Sequence, residues 1–430
     1  MCDEAADVRR QVTLERGDDR RKNAFDPRCG HDLISPKEWR AFSATKRRRR
    51  PVPPSLSEIL PEDGTAGTLV GRLWRKGKPA GPAVIAVRTE GVFDLSATVP
   101  TMADLCNAPD PAGLARNSPG ERIGPLQDLV GDLLAPIDLQ AIKAAGVTFA
   151  VSLLERLIEE HAKGDPGRAE QVRGELNTII GADVSTIKPG SPEADALKKT
   201  LMARGAWSPY LEVGIGPYAE IFTKAPPMAA VGYGAEIGIR SDSDWNNPEP
   251  EVTLIVSAKG QIVGATLGND VNLRDIEGRS ALLLGIAKDN NASCAIGPFI
   301  RLFDSTFALD DVRQAKVELE VTGPDQFRLR GQSDLSKISR DPTDLVRQAM
   351  GGAHQYPDGM ALMTGTLFAP TEPRKPGGTG FTHMVGDLVS IRSPKLGTLT
   401  NKVNHCDKIP PWTFGTTALM RNLAARGLLR

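Results

Sequence analysis

Residues 248–270 read PEPEVTLIVSAKGQIVGATLGND, two apolar runs on either side of Lys259-Gly260. That pattern predicts a β-hairpin. Alternate side chains of an extended strand share a face, so Glu249 and Glu251 point the same way. With Lys259 and Gly260 as the two loop residues, Asp270 falls opposite Glu249 and Gly268 opposite Glu251, and directly opposed Cβ atoms stand about 5 Å apart. Three carboxylates then converge on one spot, with a glycine where a ligand would need room. Like charges so close repel unless a cation lies between them. An all-oxygen donor set with open positions suits Mg²⁺, with Mn²⁺ as the alternative, better than Zn²⁺. Read blandly, the same residues are acids on the solvated ends of a hairpin, and a three-residue turn would shift the pairing by one.

Outward from the hairpin, short apolar runs recur between glycines and prolines: Ala219–Lys224, Ala235–Arg240, Ala315–Val321, Gln326–Leu329, Ala361–Leu367, Leu388–Ile391 and Thr398–Val403. One helix is expected over Pro342–Met350. Upstream, Thr68–Val70 and Ala83–Val87 read as strands of a small N-terminal β-unit. Ser152-Leu153-Leu154-Glu155 fits a capping box that opens a helix, and amphipathic segments follow at roughly 167–180 and 192–204. Strands dominate and helices are grouped apart, so the fold class is β-rich α+β rather than a doubly wound sheet. The expected organisation is a basic tail over 1–54, disordered because it buries little apolar surface, a β-rich domain over 55–145, and a catalytic domain over 146–430 with a helical insertion at about 160–205.

A chain of 430 residues, 40% of them hydrophobic, is long enough to bury a substantial core. Lysines plus arginines balance aspartates plus glutamates at 53 each, so the net charge gives no reason to expect nucleic acid or an anionic membrane as a partner. Lys46-Arg47-Arg48-Arg49-Arg50 is the one contrary patch, and its composition fits a solvated tail better. No apolar run approaches a membrane span, the N-terminus lacks the apolar core of a signal peptide, and five scattered cysteines form no CxxC pair. A cytoplasmic protein with reduced thiols is the expectation. The five histidines have no partners at metal-ligand spacing, and Cys294, placed in a Ser293–Pro298 turn, reads as a small buried residue.

The PEPE run, Gly268-Asn269-Asp270-Val271-Asn272-Leu273-Arg274-Asp275, Gly365-Thr366 and Gly397-Thr398-Leu399-Thr400-Asn401-Lys402-Val403 together resemble the ordered motifs of the fumarylacetoacetate hydrolase superfamily. Lys288-Asp289-Asn290-Asn291-Ala292-Ser293-Cys294-Ala295-Ile296-Gly297-Pro298 and Trp412-Thr413-Phe414-Gly415 resemble, within it, the 2-keto-3-deoxy-pentonate dehydratases. The resemblance implies a fumarylacetoacetate hydrolase-type mixed β fold, a homodimer or larger assembly, a small 2-oxo acid substrate, and Glu249, Glu251 and Asp270 as ligands of Mg²⁺. One departure is informative. Hydrolases of the superfamily carry Asn-Tyr-x-x-His-x-x-Glu, and the comparable run here is Thr148-Phe149-Ala150-Val151-Ser152-Leu153-Leu154-Glu155. Serine in place of histidine removes the natural base near neutral pH, which disfavours hydrolysis of a carbon–carbon bond.

Dehydration of a 2-keto-3-deoxy-D-pentonate to 2-oxoglutarate semialdehyde is therefore the expected reaction, through an enolate that the metal stabilises. Lys288 is the candidate base, or the cation beside the enolate. Glu155 is the candidate acid for the leaving hydroxyl, although the capping box explains it equally. Thr366, Arg274 and Ser152 are candidate substrate contacts, with Arg274 alternatively orienting Glu251. Lys224, after Phe222, reads as a packing feature. Rival readings are a 2,4-diketo acid hydrolase or a 2-oxo diacid decarboxylase of the same superfamily, and a metal-dependent 2-oxo acid binding protein without turnover.

Overall fold

The structure, a computed structural model, describes residues 56–149, 153, 156–158, 187–203, 207–368, 370, 372–374 and 380–429. Its strands are β1 (Leu69–Arg75), β2 (Gly81–Arg88), β3 (Gly91–Asp94), β4 (Glu121–Gly124), β5 (Leu133–Leu134), β6 (Ala141–Gly146), β7 (Glu220–Ala225), β8 (Glu236–Ile239), β9 (Asn246–Asn247), β10 (Pro250–Val256), β11 (Ile262–Asp270), β12 (Asn272–Leu273), β13 (Cys294–Leu302), β14 (Lys316–Thr322), β15 (Arg328–Asp334), β16 (Met360–Met363), β17 (Leu388–Ser393) and β18 (Gly397–His405). The larger sheet runs β4-β3-β2-β1-β13-β11-β10-β16-β6-β7, with β5 beside β1, and the second runs β15-β14-β17-β18-β8. The fold is β-rich α+β. Strands β1 to β4 share the sheet of β10 and β11, so hydrogen bonding runs through the expected boundary at 145/146. The tail over 1–54, the segment 167–180, Ser152 and Glu155 lie outside the described residues.

Apolar alternation in β10 divides the core. Val252, Leu254 and Val256 pack with Val317, Leu319 and Ile391 of the second sheet, while Ile255 packs on the other side with Ile296, Ala361 and Met363. Glu249 and Glu251 have the parity of Ile255, which puts them on that second face. The chain beyond β7 returns to β13 through a bridge between Val231 and Ala295. Strands β13, β11, β10, β16, β6 and β7 thereby curl into a ring, and β7 comes back to the end of β11.

The hairpin forms, by a different route from the one expected. Ser257 N–H donates to Gln261 O at 2.8 Å, so Ala258, Lys259 and Gly260 make a three-residue loop, with Gly260 at φ +75° where glycine is favoured. Val256 pairs with Ile262 and Ile255 with Gly264, an irregularity that absorbs Val263. Beyond it Glu251 faces Gly268, and Asp270 N–H donates to Glu249 O at 3.1 Å. Loop and bulge offset each other, and the acids stand in the expected register.

The turn expected at Ser293–Pro298 is instead the start of β13, a strand buried along its whole length. Gly297-Pro298 reads as a turn signal, but the pairing with β11 shifts between Ala265 and Leu267, so the pair sits in an irregularity inside a strand. Cys294 is buried there, opposite Asp270.

Candidate metal centre

Glu249, Glu251 and Asp270 converge as expected, each at most 4% exposed, with one oxygen of each within 4.8 Å of the others. Gly268 does not make room for a ligand. A Cβ there would lie 2.5 Å from Thr253 Oγ1 and 2.8 Å from Met363 Cε, so its space belongs to these two side chains.

Three cations come from other parts of the chain. Lys288, at the end of the helix Leu284–Lys288, puts Nζ 2.6 Å from Glu249 Oε2 and 3.1 Å from Asp270 Oδ2. Lys224, on β7, is fully buried with Nζ 2.7 Å from Asp270 Oδ1. Arg156 bridges Glu249 Oε1 at 3.1 Å and Glu277 Oε2 at 2.5 Å, and Asn272 Nδ2 donates to the same two carboxylates at 3.2 and 2.6 Å. Glu251 is treated differently. Among the described residues its carboxylate has one donor, Gly365 N–H at 2.6 Å from Oε2.

The charges follow from these contacts. Burial, then repulsion from Asp270 and Glu249, pushes the Glu251 carboxyl well above the usual range. Glu249 is raised by burial, partly relieved by Lys288. Burial would raise Asp270 too, but Lys224 and Lys288 outweigh it and hold it low. Burial alone would lower the Lys288 ammonium, but Asp270, Glu249 and Glu277 hold it above the ordinary lysine range. In this arrangement Lys288 is thus an ammonium, which fits the second of its two expected roles, the cation, rather than the base. Among the described residues, four buried carboxylates, Glu249, Glu251, Asp270 and Glu277, face three cations, and the one with no cation paired to it is Glu251. A hard divalent ion fits that donor set and that charge imbalance.

Other expectations fall differently. Thr366 follows the Gly365 amide, and its hydroxyl donates to Phe368 O at 3.0 Å. Arg274 stacks on the Trp245 ring at 4.6 Å and donates to Pro370 O at 3.1 Å. Burial pushes the Cys294 thiol up to about 12, consistent with an inert packing residue. His383 is buried against Asp387, 3.2 Å from Nδ1. The sequence reading missed Arg156, Asn272, Glu277 and Glu220 as parts of the site. Glu220 opens β7, and its Oε2 lies 2.1 Å from where a Gly146 Cβ would stand. Burial, then Glu277, pushes its carboxyl up to about 7, against the pull of Arg156 and Lys288.

The family model described as fumarylacetoacetate (FAA) hydrolase C-terminal matches residues 212–404. A Haloferax volcanii protein described as a probable 2-keto-3-deoxyxylonate dehydratase is 28% identical over 74% of this chain and 94% of its own. A Saccharolobus solfataricus protein described as 2-dehydro-3-deoxy-D-arabinonate dehydratase is 32% identical over 44% of this chain and 60% of its own. A solved structure of 2-keto-3-deoxy-D-arabinonate dehydratase complexed with magnesium and 2,5-dioxopentanoate superposes with a TM-score of 0.55 at 21% identity, over 78% of this chain and 99% of that one. At that identity the likeness establishes the fold. Among the described residues no helix is long and apolar enough to cross a membrane.

Proposed function

We propose that this chain, whose residues 212–404 match the family model described as fumarylacetoacetate (FAA) hydrolase C-terminal, is a hydro-lyase that converts a 2-keto-3-deoxy-D-pentonate to 2-oxoglutarate semialdehyde, with Mg²⁺ at Glu249, Glu251 and Asp270. The names of the two relatives support the reaction class. The neighbour holding magnesium and 2,5-dioxopentanoate supports both ion and product, since that compound is the semialdehyde. The observation that carries the reading is the cluster itself: three convergent buried carboxylates with a lysine beside two of them and, among the described residues, no cation paired to the third.

A bound dication would draw electrons from the 2-oxo group and acidify the protons on C3. Lys288 stands beside the negative charge that develops on the substrate as an ammonium, and becomes a base for C3 only when Glu249 and Asp270 turn their charge to another cation. Glu220, about half protonated near neutrality, donates a proton to the C4 hydroxyl, which leaves as water. Glu155 is the second candidate for that donation. Thr366 would exchange its bond to Phe368 O for the substrate carboxylate, and Arg274 and Ser152 are further contacts in the same proposal, as is assembly into a homodimer or larger.

The test is incubation of the purified protein with D- and L-2-keto-3-deoxypentonate, with Mg²⁺ or EDTA. Semialdehyde forming with Mg²⁺ and not with EDTA is expected. Absence of semialdehyde from both isomers with Mg²⁺ present overturns the proposal, and two acid fragments from a 2,4-diketo acid would identify a hydrolase instead.

A further inference from the structure

We infer that Lys224 is a positioning residue that locks a metal ligand and the end of the helix carrying Lys288 into one fixed relation. The inference rests on the reading of Glu249, Glu251 and Asp270 as a metal centre. Lys224 is 0% exposed, and burying an ammonium is costly unless every donor finds a partner. A methionine would fill the same space without that cost, so packing alone does not account for a lysine here.

Its three contacts lie on the two elements that the site must hold together. Nζ lies 2.7 Å from Asp270 Oδ1 and donates to Val271 O at 3.0 Å, both at the end of β11. It also donates to Lys288 O, in the last turn of the helix Leu284–Lys288, where carbonyls have no partner within the helix. Ser293 Oγ donates to the same carbonyl at 2.9 Å. Lys288 is thereby tied at both ends: its ammonium reaches Asp270 Oδ2, and its carbonyl is held by Lys224, which grips Asp270 Oδ1. Because Lys224 takes Oδ1, Asp270 keeps a cation when the Lys288 ammonium moves toward a substrate. The ring closure of β7 onto the end of β11 makes this contact available.

Two variants test the assignment, read by titration of the EDTA-treated protein with Mn²⁺ alone and by kcat with the pentonate. Lys224→Met should weaken Mn²⁺ binding by about 10–100-fold, as loss of an outer partner of a ligand does, and lower kcat. Ser293→Ala removes the other donor to Lys288 O and leaves the Asp270 pair intact, so it should lower kcat while Mn²⁺ affinity stays. If Lys224→Met does not fold, Lys224→Gln takes its place with the same expectation. A folded Lys224 variant with unchanged Mn²⁺ affinity, even one melting at lower temperature, overturns the inference. Failure of the parent protein to bind Mn²⁺ would instead overturn the metal centre.

Discussion

Glu220 and Gly365 carry the sharpest residue-level consequences. The donor form of Glu220 is the protonated one, and its carboxyl titrates at about 7 rather than near the ordinary 4.5. Its protonated fraction therefore falls as pH rises through about 7, and kcat/KM should fall with it on a basic limb. Glu220→Gln should lower kcat by about 10²–10⁴-fold and abolish that limb. If the limb survives in Glu220→Gln and disappears in Glu155→Gln, Glu155 is the acid. Gly365 stands at φ +87°, and an added Cβ would lie 2.1 Å from Thr148 Oγ1, whose hydroxyl donates to Thr364 O at 2.7 Å. Gly365→Ala should therefore cost about 1–3 kcal/mol by denaturant melt and displace the amide that donates to Glu251, weakening Mn²⁺ binding. A variant that melts lower yet binds Mn²⁺ as before would show that the amide does not orient Glu251. In the sequence this glycine is visible only as part of a motif, because an amide's aim depends on a backbone angle that composition does not encode.

At the scale of elements, the hairpin's tip and waist should respond differently to the same change. An added Cβ at Gly260 meets nothing closer than Met350 Sδ at 3.9 Å, whereas at Gly264 it would lie 2.5 Å from Arg301 O in the β13 backbone. Gly260→Ala should lose only about 1 kcal/mol for its positive φ and keep Mn²⁺ affinity. Gly264→Ala should push β13 away from β11 and, through the pairing of Cys294 with Asp270, weaken the metal centre as well. Equal losses in both would disprove a waist that transmits strain to the site. The acids of this hairpin were legible because two-residue alternation fixes their face from local sequence. Strand β13 was not, since Gly297-Pro298 imitates a turn and only pairing with β11 reveals the strand. Arg156, Lys224 and Glu220 escaped for a related reason: ring closure brings them to the site, and no local spacing records it, whereas Glu277 ends the short helix Arg274–Glu277 just after β12, where the chain turns back to Asn272.

The whole molecule buries this centre at a cost that depends on pH. Glu220 holds its proton up to about 7 in the folded chain, and Glu249 and Glu251 are raised as well by burial. Unfolding lets all three ionise near the ordinary carboxylate value. A raised carboxyl favours the folded state below its unfolded value, and that advantage is lost as pH rises through the folded value. Asp304 and Asp341 act in the opposite sense, but at about 2 they titrate well below this window, and His383, held down by burial, opposes the trend only up to the ordinary imidazole value of about 6.5. The EDTA-treated protein should therefore melt at progressively lower temperature from about pH 6.5 to 8. Protons and a dication compete for the same carboxylates, so Mg²⁺ binds more tightly as pH rises and stabilises by RT ln(1 + [L]/Kd), about 2.7 kcal/mol at a hundredfold excess over Kd. The gap in Tm between Mg²⁺-loaded and EDTA-treated protein should be small at pH 5 and widen toward pH 8. In Glu251→Gln, which removes the carboxylate without a cation, the metal-free slope should flatten and the gap close at every pH. A gap that ignores pH in the parent protein would mean that the ion, if it binds, does so somewhere other than these buried carboxylates.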